Sequence, residues 1–410
     1  MQEALATNID LPRSYGATCN EPEVPHGRGV RQPFSNSDMG EKKLEREPYK
    51  ISIIIPIYNG GENIAAAFAS VTRQTIGFER LEVIFADDAS TDGSGAIIDG
   101  LAARHPNVKA LHCGENSGYA GRPRNAGMQA ATAPYLMFLD QDDRYYPGAC
   151  EQLWTAGEAD GCDVVAGYYS IHDRAGRVIA AKSGLYTAYG AFRIESADEM
   201  PEVMKFRVGL WTKLYRTQTI RTNGIRFVED TPAEDLVFFT ELAMVMRGFR
   251  YIDAPIVQYA LRNAADPSLT YRMDVPNARA VAGAFAAAYE VLRRHGRTDL
   301  YPHLAEGTTK FYMDMLLDND LSSTRATADY VEALDFIFRK AHEYRVFDGS
   351  GSAEVLTALA CREEYELAAL FLREIQSLCK QSRRYEDLHN KLKYSRILKV
   401  IGKLRGWELD

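Results

Sequence analysis

The apolar run Tyr135-Leu136-Met137-Phe138-Leu139 stops at Asp140-Gln141-Asp142-Asp143, and few patterns restrict a fold more tightly. Five consecutive apolar residues fit a strand covered on both faces, as in a parallel sheet. The strand's end must then open onto water, because three carboxylates within four positions repel one another. A solvated acidic turn meets that need. So does a hard cation such as Mg²⁺ or Mn²⁺ held by carboxylate oxygens.

The same cycle recurs along the chain. Ile51-Ser52-Ile53-Ile54-Ile55-Pro56-Ile57 is another continuous β-branched run, broken by Asn59-Gly60-Gly61. A helix follows with Ile64, Phe68, Val71 and Thr75 on one face. A strand over 81–86 leads into a helix over 92–104, capped by Ser90 or Thr91. Strand 108–113, helix 123–132, the strand ending at Asp140, helix 147–159 and strand 163–168 complete the series. This alternation predicts an α/β fold with a doubly wound, mostly parallel sheet. Ligands of such sheets bind beyond the carboxyl ends of the strands, so Asp87, Asp88 and the 140–143 cluster should line one crevice.

Past residue 170 the pattern is mixed, with helices expected over 211–222 and 232–246 and strands over 249–253 and 257–261. Beyond Pro276 it is helical, over 278–294, 301–317, 326–344 and 353–379. Four regions result: a polar leader at 1–48, an α/β domain at 49–272, an all-helical domain at 276–380 and a tail at 381–410.

The net charge of −8 over 410 residues argues against a nucleic-acid binder. It conceals a tail, residues 380–406, with nine Lys and Arg against Glu386 and Asp387. Within it, Tyr394–Leu404 reads as a basic amphipathic helix, suited either to an anionic membrane surface or to packing on the helical domain or another subunit. The six cysteines show no CxxC pair and read as reduced thiols. Without a signal-peptide core, or the roughly 20 apolar residues of a membrane span, a cytoplasmic location is expected.

Four segments converge on the predicted crevice. Pro56-Ile57-Tyr58-Asn59 leaves a buried strand with backbone groups available to a flat base. Asp87 and Asp88 are not needed for capping, which points them toward a base or ribose. Asn116 to Gly127 carries Arg122 and Arg124 near a helix start, where charge and free amides suit a diphosphate, although a loop arginine is also commonly just solvated. The acidic cluster is the fourth. Further on, Pro232 at a helix start places Glu234 and Asp235 in the first turn, a setting that acidic residues favour for the helix dipole alone.

Together these segments resemble the inverting family 2 glycosyltransferases of GT-A fold, over roughly residues 50–260. The resemblance implies a nucleotide-sugar donor, usually a UDP-sugar, with Mn²⁺ or Mg²⁺ at its phosphates. It implies Asp142 as the direct metal ligand, with Asp140 beside it, and Asp140 and Gln141 against the ribose and the donor. It also implies Asp235 as general base supported by Glu234, Arg262 as a lid contact to the diphosphate, and Trp211 and Lys213 on the acceptor side. The acceptor would be a cell-envelope polymer or lipid-linked glycan, and the helical domain would bind polymer or self-associate. No Gln-x-x-Arg-Trp follows the Glu-Asp pair, which favours addition of a single sugar. Two departures stand out: Ala89, where the family commonly has Gly, and Pro123 between the two arginines. A nucleotidyltransferase is the competing enzyme class, but Asn59-Gly60-Gly61-Glu62 lacks its basic phosphate loop. A non-catalytic glycan-binding protein on a degenerate fold is the other alternative.

Overall fold

The computed structural model describes residues 49–173, 176–183, 190–207, 209–229, 231–261, 274–305, 312, 315, 316, 321, 323–346 and 352–381. The 1–48 leader, Arg262 with its following loop, and the tail beyond Gln381 lie outside the described residues.

One sheet organises the chain. Strand β1 (Ile51–Ile57) pairs in parallel with β2 (Leu81–Asp87) and β4 (Tyr135–Phe138), and β3 (Val108–His112) extends the sheet beyond β2. On the other side β9 (Lys213–Arg216) lies antiparallel between β4 and β6 (Val164–His172). Parallel to β6 runs β10 (Phe249–Ala260), with β5 (Arg144–Tyr145) antiparallel at the far edge. Two short strands, β7 (Val178–Ser183) on β6 and β8 (Phe192–Ile194) on β10, complete it. The helices α1 (Asn63–Thr72), α2 (Ser94–Arg104), α3 (Gly121–Ala130) and α4 (Ala149–Asp160) connect the first strands as their alternation predicts.

Side-chain alternation divides the core between the two faces. From β1, Ile51, Ile53, Ile55 and Ile57 join Val83, Phe85, Tyr135 and Met137 on one face. Ile54 joins Ile84, Leu136 and Phe138 on the other. Every one of these is buried, as a continuous apolar run requires.

Three expectations for the α/β part are corrected. Residues 211–222 are not one helix: a 3₁₀ turn, Leu210–Thr212, leads into β9, and only α5 (Thr217–Thr222) is helical. A four-residue strand is too short to show a period; its identity comes from the partners on both sides. The two strands expected over 249–261 are one, with irregularities on either side of Pro255, which has no amide to give the ladder. Helix α6 (Glu234–Val245) begins after Pro232 rather than on it, with Ala233 at its N-cap.

The helical region comprises α7 (Val275–Arg294), α8 (Thr324–Ala333), α9 (Asp335–Glu343), α10 (Ser352–Ala360) and α11 (Tyr365–Gln381). The continuous helices expected over 326–344 and 353–379 each break in two. The described residues of this region form no separate core. Phe285 and Leu292 of α7, Phe338 of α9 and Ile375 of α11 belong to the same apolar cluster as Ile54, Phe138 and Phe238 of the α/β part. Unfolding is therefore expected as one cooperative transition. Phe285→Ala should lower the stability of the whole unit by about 3–5 kcal/mol, and calorimetry showing a separate, unaffected α/β transition would contradict the shared core.

Candidate active site

The loops after β1 and β2 are laced together. Asn59, in a left-handed conformation at φ 47°, donates its amide to Ser90 Oγ at 2.9 Å and accepts the Thr91 amide at 2.8 Å. The Gly60 and Gly61 amides donate to Ser94 Oγ at 2.9 and 3.1 Å. Ser90 and Thr91 therefore serve the loop rather than the helix. The start of α2 is instead tied by Asp92, whose Oδ1 accepts the Ser94 amide at 3.0 Å. Between the first and last strands of the site, Tyr58 and Gln141 exchange bonds: the Tyr58 amide to Gln141 Oε1 at 2.9 Å, and Gln141 Nε2 to the Tyr58 carbonyl at 3.0 Å. The Ile57 carbonyl accepts the Asp88 amide. Of the Pro56–Asn59 segment, Tyr58 and Asn59 are the exposed residues, Tyr58 by 45%.

Asp87 and Asp88 are both buried at the end of β2. Asp87 accepts the Ser90 amide at 3.1 Å and pairs with His112 Nδ1 at 3.2 Å, while His112 Nε2 meets Asp99 at 3.0 Å. These two carboxylates, Asp99 foremost, raise the His112 pKa. Asp88 Oδ2 accepts from Asn116 Nδ2 and from the Ser117 amide and hydroxyl at 3.0, 2.8 and 2.8 Å. Its Oδ1 is buried with no protein donor. A buried acceptor of that kind calls for a donor from elsewhere.

Helix α3 begins at Gly121, and its two arginines differ. Arg122 is partly exposed and faces Glu115 and Glu229. Arg124 is only 6% exposed, with one guanidinium nitrogen on Asp140 at 2.7 Å and another on Glu234. Burial opposes its charge, but Asp140 and Glu234 together hold the guanidinium protonated well above its ordinary range. Burial likewise pushes the Glu234 carboxyl upward, against the pull of Arg124. Position 121 admits nothing larger than glycine, because a Cβ there would lie 2.3 Å from the Val228 carbonyl. Asn125 fixes that neighbouring segment through Phe227 and Glu229.

The acidic cluster separates by role. Asp143 is buried and accepts the Ala260 amide at 2.9 Å, fastening the end of β10. Asp140, Gln141 and Asp142 remain partly exposed at the sheet edge. Asp235 stands partly exposed in the first turn of α6. Trp211 stacks on Tyr259 and meets Tyr169 edge-on. Lys213 departs from its expected acceptor-side place: it is 0% exposed and donates to the Gly209 carbonyl at 2.8 Å. Among the described residues no group of three or more His, Cys, Asp and Glu side chains is arranged to hold a metal ion. Asp140 and Asp142 still offer hard carboxylate oxygens of the kind that hold Mg²⁺ when substrate phosphates supply further ligands. Sequence reasoning missed β9, the His112 bridge to Asp99 and the Asn125 clip, none of which has a local pattern to show it.

A curled mixed sheet with carboxylates at its carboxyl edge and a helical region behind defines the GT-A glycosyltransferase fold. Residues 52–217 match the family described as Glycosyl transferase family 2. It is similar to the uncharacterized glycosyltransferase YibD of Escherichia coli, 30% identical over 225 residues, covering 53% of this chain and 62% of that protein. It is also similar to the poly(ribitol-phosphate) beta-N-acetylglucosaminyltransferase TarP of Staphylococcus aureus, 28% identical over 201 residues, 49% of this chain and 59% of that protein. The chain thus spans about three fifths of these relatives. Among solved structures, S. aureus TarS residues 1–349 in complex with UDP-GlcNAc superimposes with a TM-score of 0.58 at 20% identity, covering 79% of this chain and 92% of that one. That likeness is one of fold.

Two outcomes test the local geometry. Arg124→Met strands two carboxylates and should cost about 3–5 kcal/mol, whereas Arg122→Met should cost under about 1 kcal/mol, both read from urea melts. Ala89 sits at φ 59°, a conformation costing a Cβ-bearing residue about 1–2 kcal/mol. After the extra flexibility that glycine gives the unfolded chain, Ala89→Gly should still stabilise by about 0.5–1 kcal/mol, and a lowered melting temperature would refute the strain.

Proposed function

We propose that this protein is a metal-dependent inverting glycosyltransferase that moves one sugar from a nucleotide donor, a UDP-sugar, to a hydroxyl of a cell-envelope polymer or lipid-linked glycan. The observation that carries the reading is the Arg124 bridge. It joins Asp140, at the end of β4, to Glu234, and so brings the start of α6 with Asp235 to the donor edge. Two relatives are named as β-transferases acting on poly(ribitol-phosphate), which supports a polymeric acceptor and an inverted linkage.

In this reading the spare Asp88 oxygen accepts an N–H from the base, with Asp87 behind it and the Pro56–Asn59 loop alongside. Asp142 with Asp140 would hold Mn²⁺ or Mg²⁺, which supplies charge neutralisation for the departing diphosphate. Gln141 keeps the loop over the ribose in place through Tyr58. Arg122 and Arg262 contact the phosphates, and Arg124 acts from below, through Asp140. Asp235 takes the proton from the acceptor hydroxyl as its oxygen attacks the anomeric carbon. Glu234, committed to Arg124, holds that turn. Trp211 offers the acceptor sugar a flat apolar face. The basic tail would keep the enzyme at the inner membrane surface; among the described residues no helix is long and apolar enough to cross a membrane.

The test is divalent-dependent release of the nucleoside diphosphate across a panel of nucleotide sugars and envelope polymers. Asp235→Asn should lower turnover by roughly 10²–10⁴ while donor binding persists, as loss of a general base does. Asp142→Ala should remove the response to added cation. Turnover of Asp235→Asn within about tenfold of the parent would rule out the base.

A further inference from the structure

Lys213 is left without a task in that mechanism, although taking an ammonium out of water is costly unless something compensates it. It is the first residue of β9. Because β9 runs against its neighbours, that first residue pairs with Ala166 of β6 while Leu214 pairs with Met137 of β4. The charge therefore enters the sheet toward the edge where the carboxylates gather. Its ammonium donates to the carbonyl of Gly209, a residue held in the left-handed region at φ 72°, and lies 5.7 Å from the Phe239 ring. Phe239 follows Asp235 by four residues on α6, hence on the same helix face.

We propose that Lys213 is a positioning residue for Asp235, its buried ammonium orienting the carboxylate from beneath and favouring the ionised form that a base requires. This rests on the assignment of Asp235 above. The charged groups around that carboxylate are consistent with the role. Arg124, from α3, is bonded to Asp140 of the sheet edge and to Glu234, and its charge also attracts Asp235. Glu234 repels Asp235. Lys213 is a second cation that interacts with it: burial pulls the lysine down to about 7, and Asp235 opposes that fall.

Lys213→Gln keeps an amide for the Gly209 carbonyl and removes the charge; Lys213→Met removes both. For each, kcat, the donor KM, the pH dependence of kcat/KM and the melting temperature are measured on the full chain, with Asp235→Asn in parallel. Both variants are expected to lower kcat with little change in donor KM. They should also move the acid limb of kcat/KM upward by about one pH unit, a tenfold change in proton affinity. If Lys213→Met fails to fold, Lys213→Gln decides alone. An acid limb at its original position overturns the proposal, and so does a rate loss matched only by a lower melting temperature. If Asp235→Asn keeps the parental rate, the base assignment itself is wrong. If Asp235→Asn is inactive while Lys213→Gln has the parental pH profile, only the role of Lys213 fails.

Discussion

The buried guanidinium of Arg124 is the interaction on which the rest of the site depends. A cation so far from water is stable only when paired on more than one side, and here Asp140 comes from the sheet and Glu234 from a helix distant in sequence. Removing the guanidinium would leave both carboxylates without their shared partner. The position of Arg124 is in turn fixed by close approach. At Gly127 a Cβ would lie 2.4 Å from Ile54 Cγ2, and at Gly121 one would strike the Val228 carbonyl. Two glycines therefore press α3 onto β1 and onto the segment before α6, and the ion cluster forms where those contacts place it.

How much of this was legible follows from which interactions are local. The strands β1, β2 and β4 announced themselves because a continuous apolar run can be stable only when covered on both faces. The acidic turn after β4, the glycine-broken loop after β1 and the paired carboxylates opening α6 were readable for the same reason: each is a change of chemistry within a few residues. Long-range choices were not. Nothing in Lys213-Leu214-Tyr215-Arg216 distinguishes a strand from a helical turn until β4 and β6 are present to pair with it. Nor could the arginines be told apart by sequence, since Arg122 and Arg124 differ in burial by the contacts of the folded helix, not by their neighbours in the chain. The expectation that Ser90 and Thr91 cap α2 rested on residue type, and the nearby Asn59 outcompeted the helix for them.

Backbone strain is distributed in the same pattern. Of the described non-glycine residues with positive φ, Asn59, Ala89 and Ala233 lie on the loops that open onto the site. Asparagine tolerates that region readily, but alanine does not. Residues held there persist only where the surroundings over-determine them. At Ala89 the surroundings are the Asp87 carboxylate and the Ser90 bonds on either side; at Ala233 they are the Arg124 bridge to the next residue. The departure from glycine at position 89 is thus tolerated because hydrogen bonds on both flanks leave the loop no relaxed alternative.

The helical region completes this argument rather than adding a separate module. Helix α6 carries Asp235, yet it begins at a strained residue with no side-chain cap. Its own first turn gives it little stability. What holds it is its buried flank, Leu236, Phe238, Phe239 and Leu242, packed within the cluster that takes in Phe285 and Leu292 of α7 and continues to Ile375 of α11. The base proposed at Asp235 would need a rigid support, and rigidity in a protein interior comes from close packing on all sides. Lys213 and Arg124 set the electrostatics at the first turn of α6, while the helices behind it keep that turn from moving. A sheet edge alone would bring the carboxylates together; the shared core is what keeps Asp235 at a fixed place beside them.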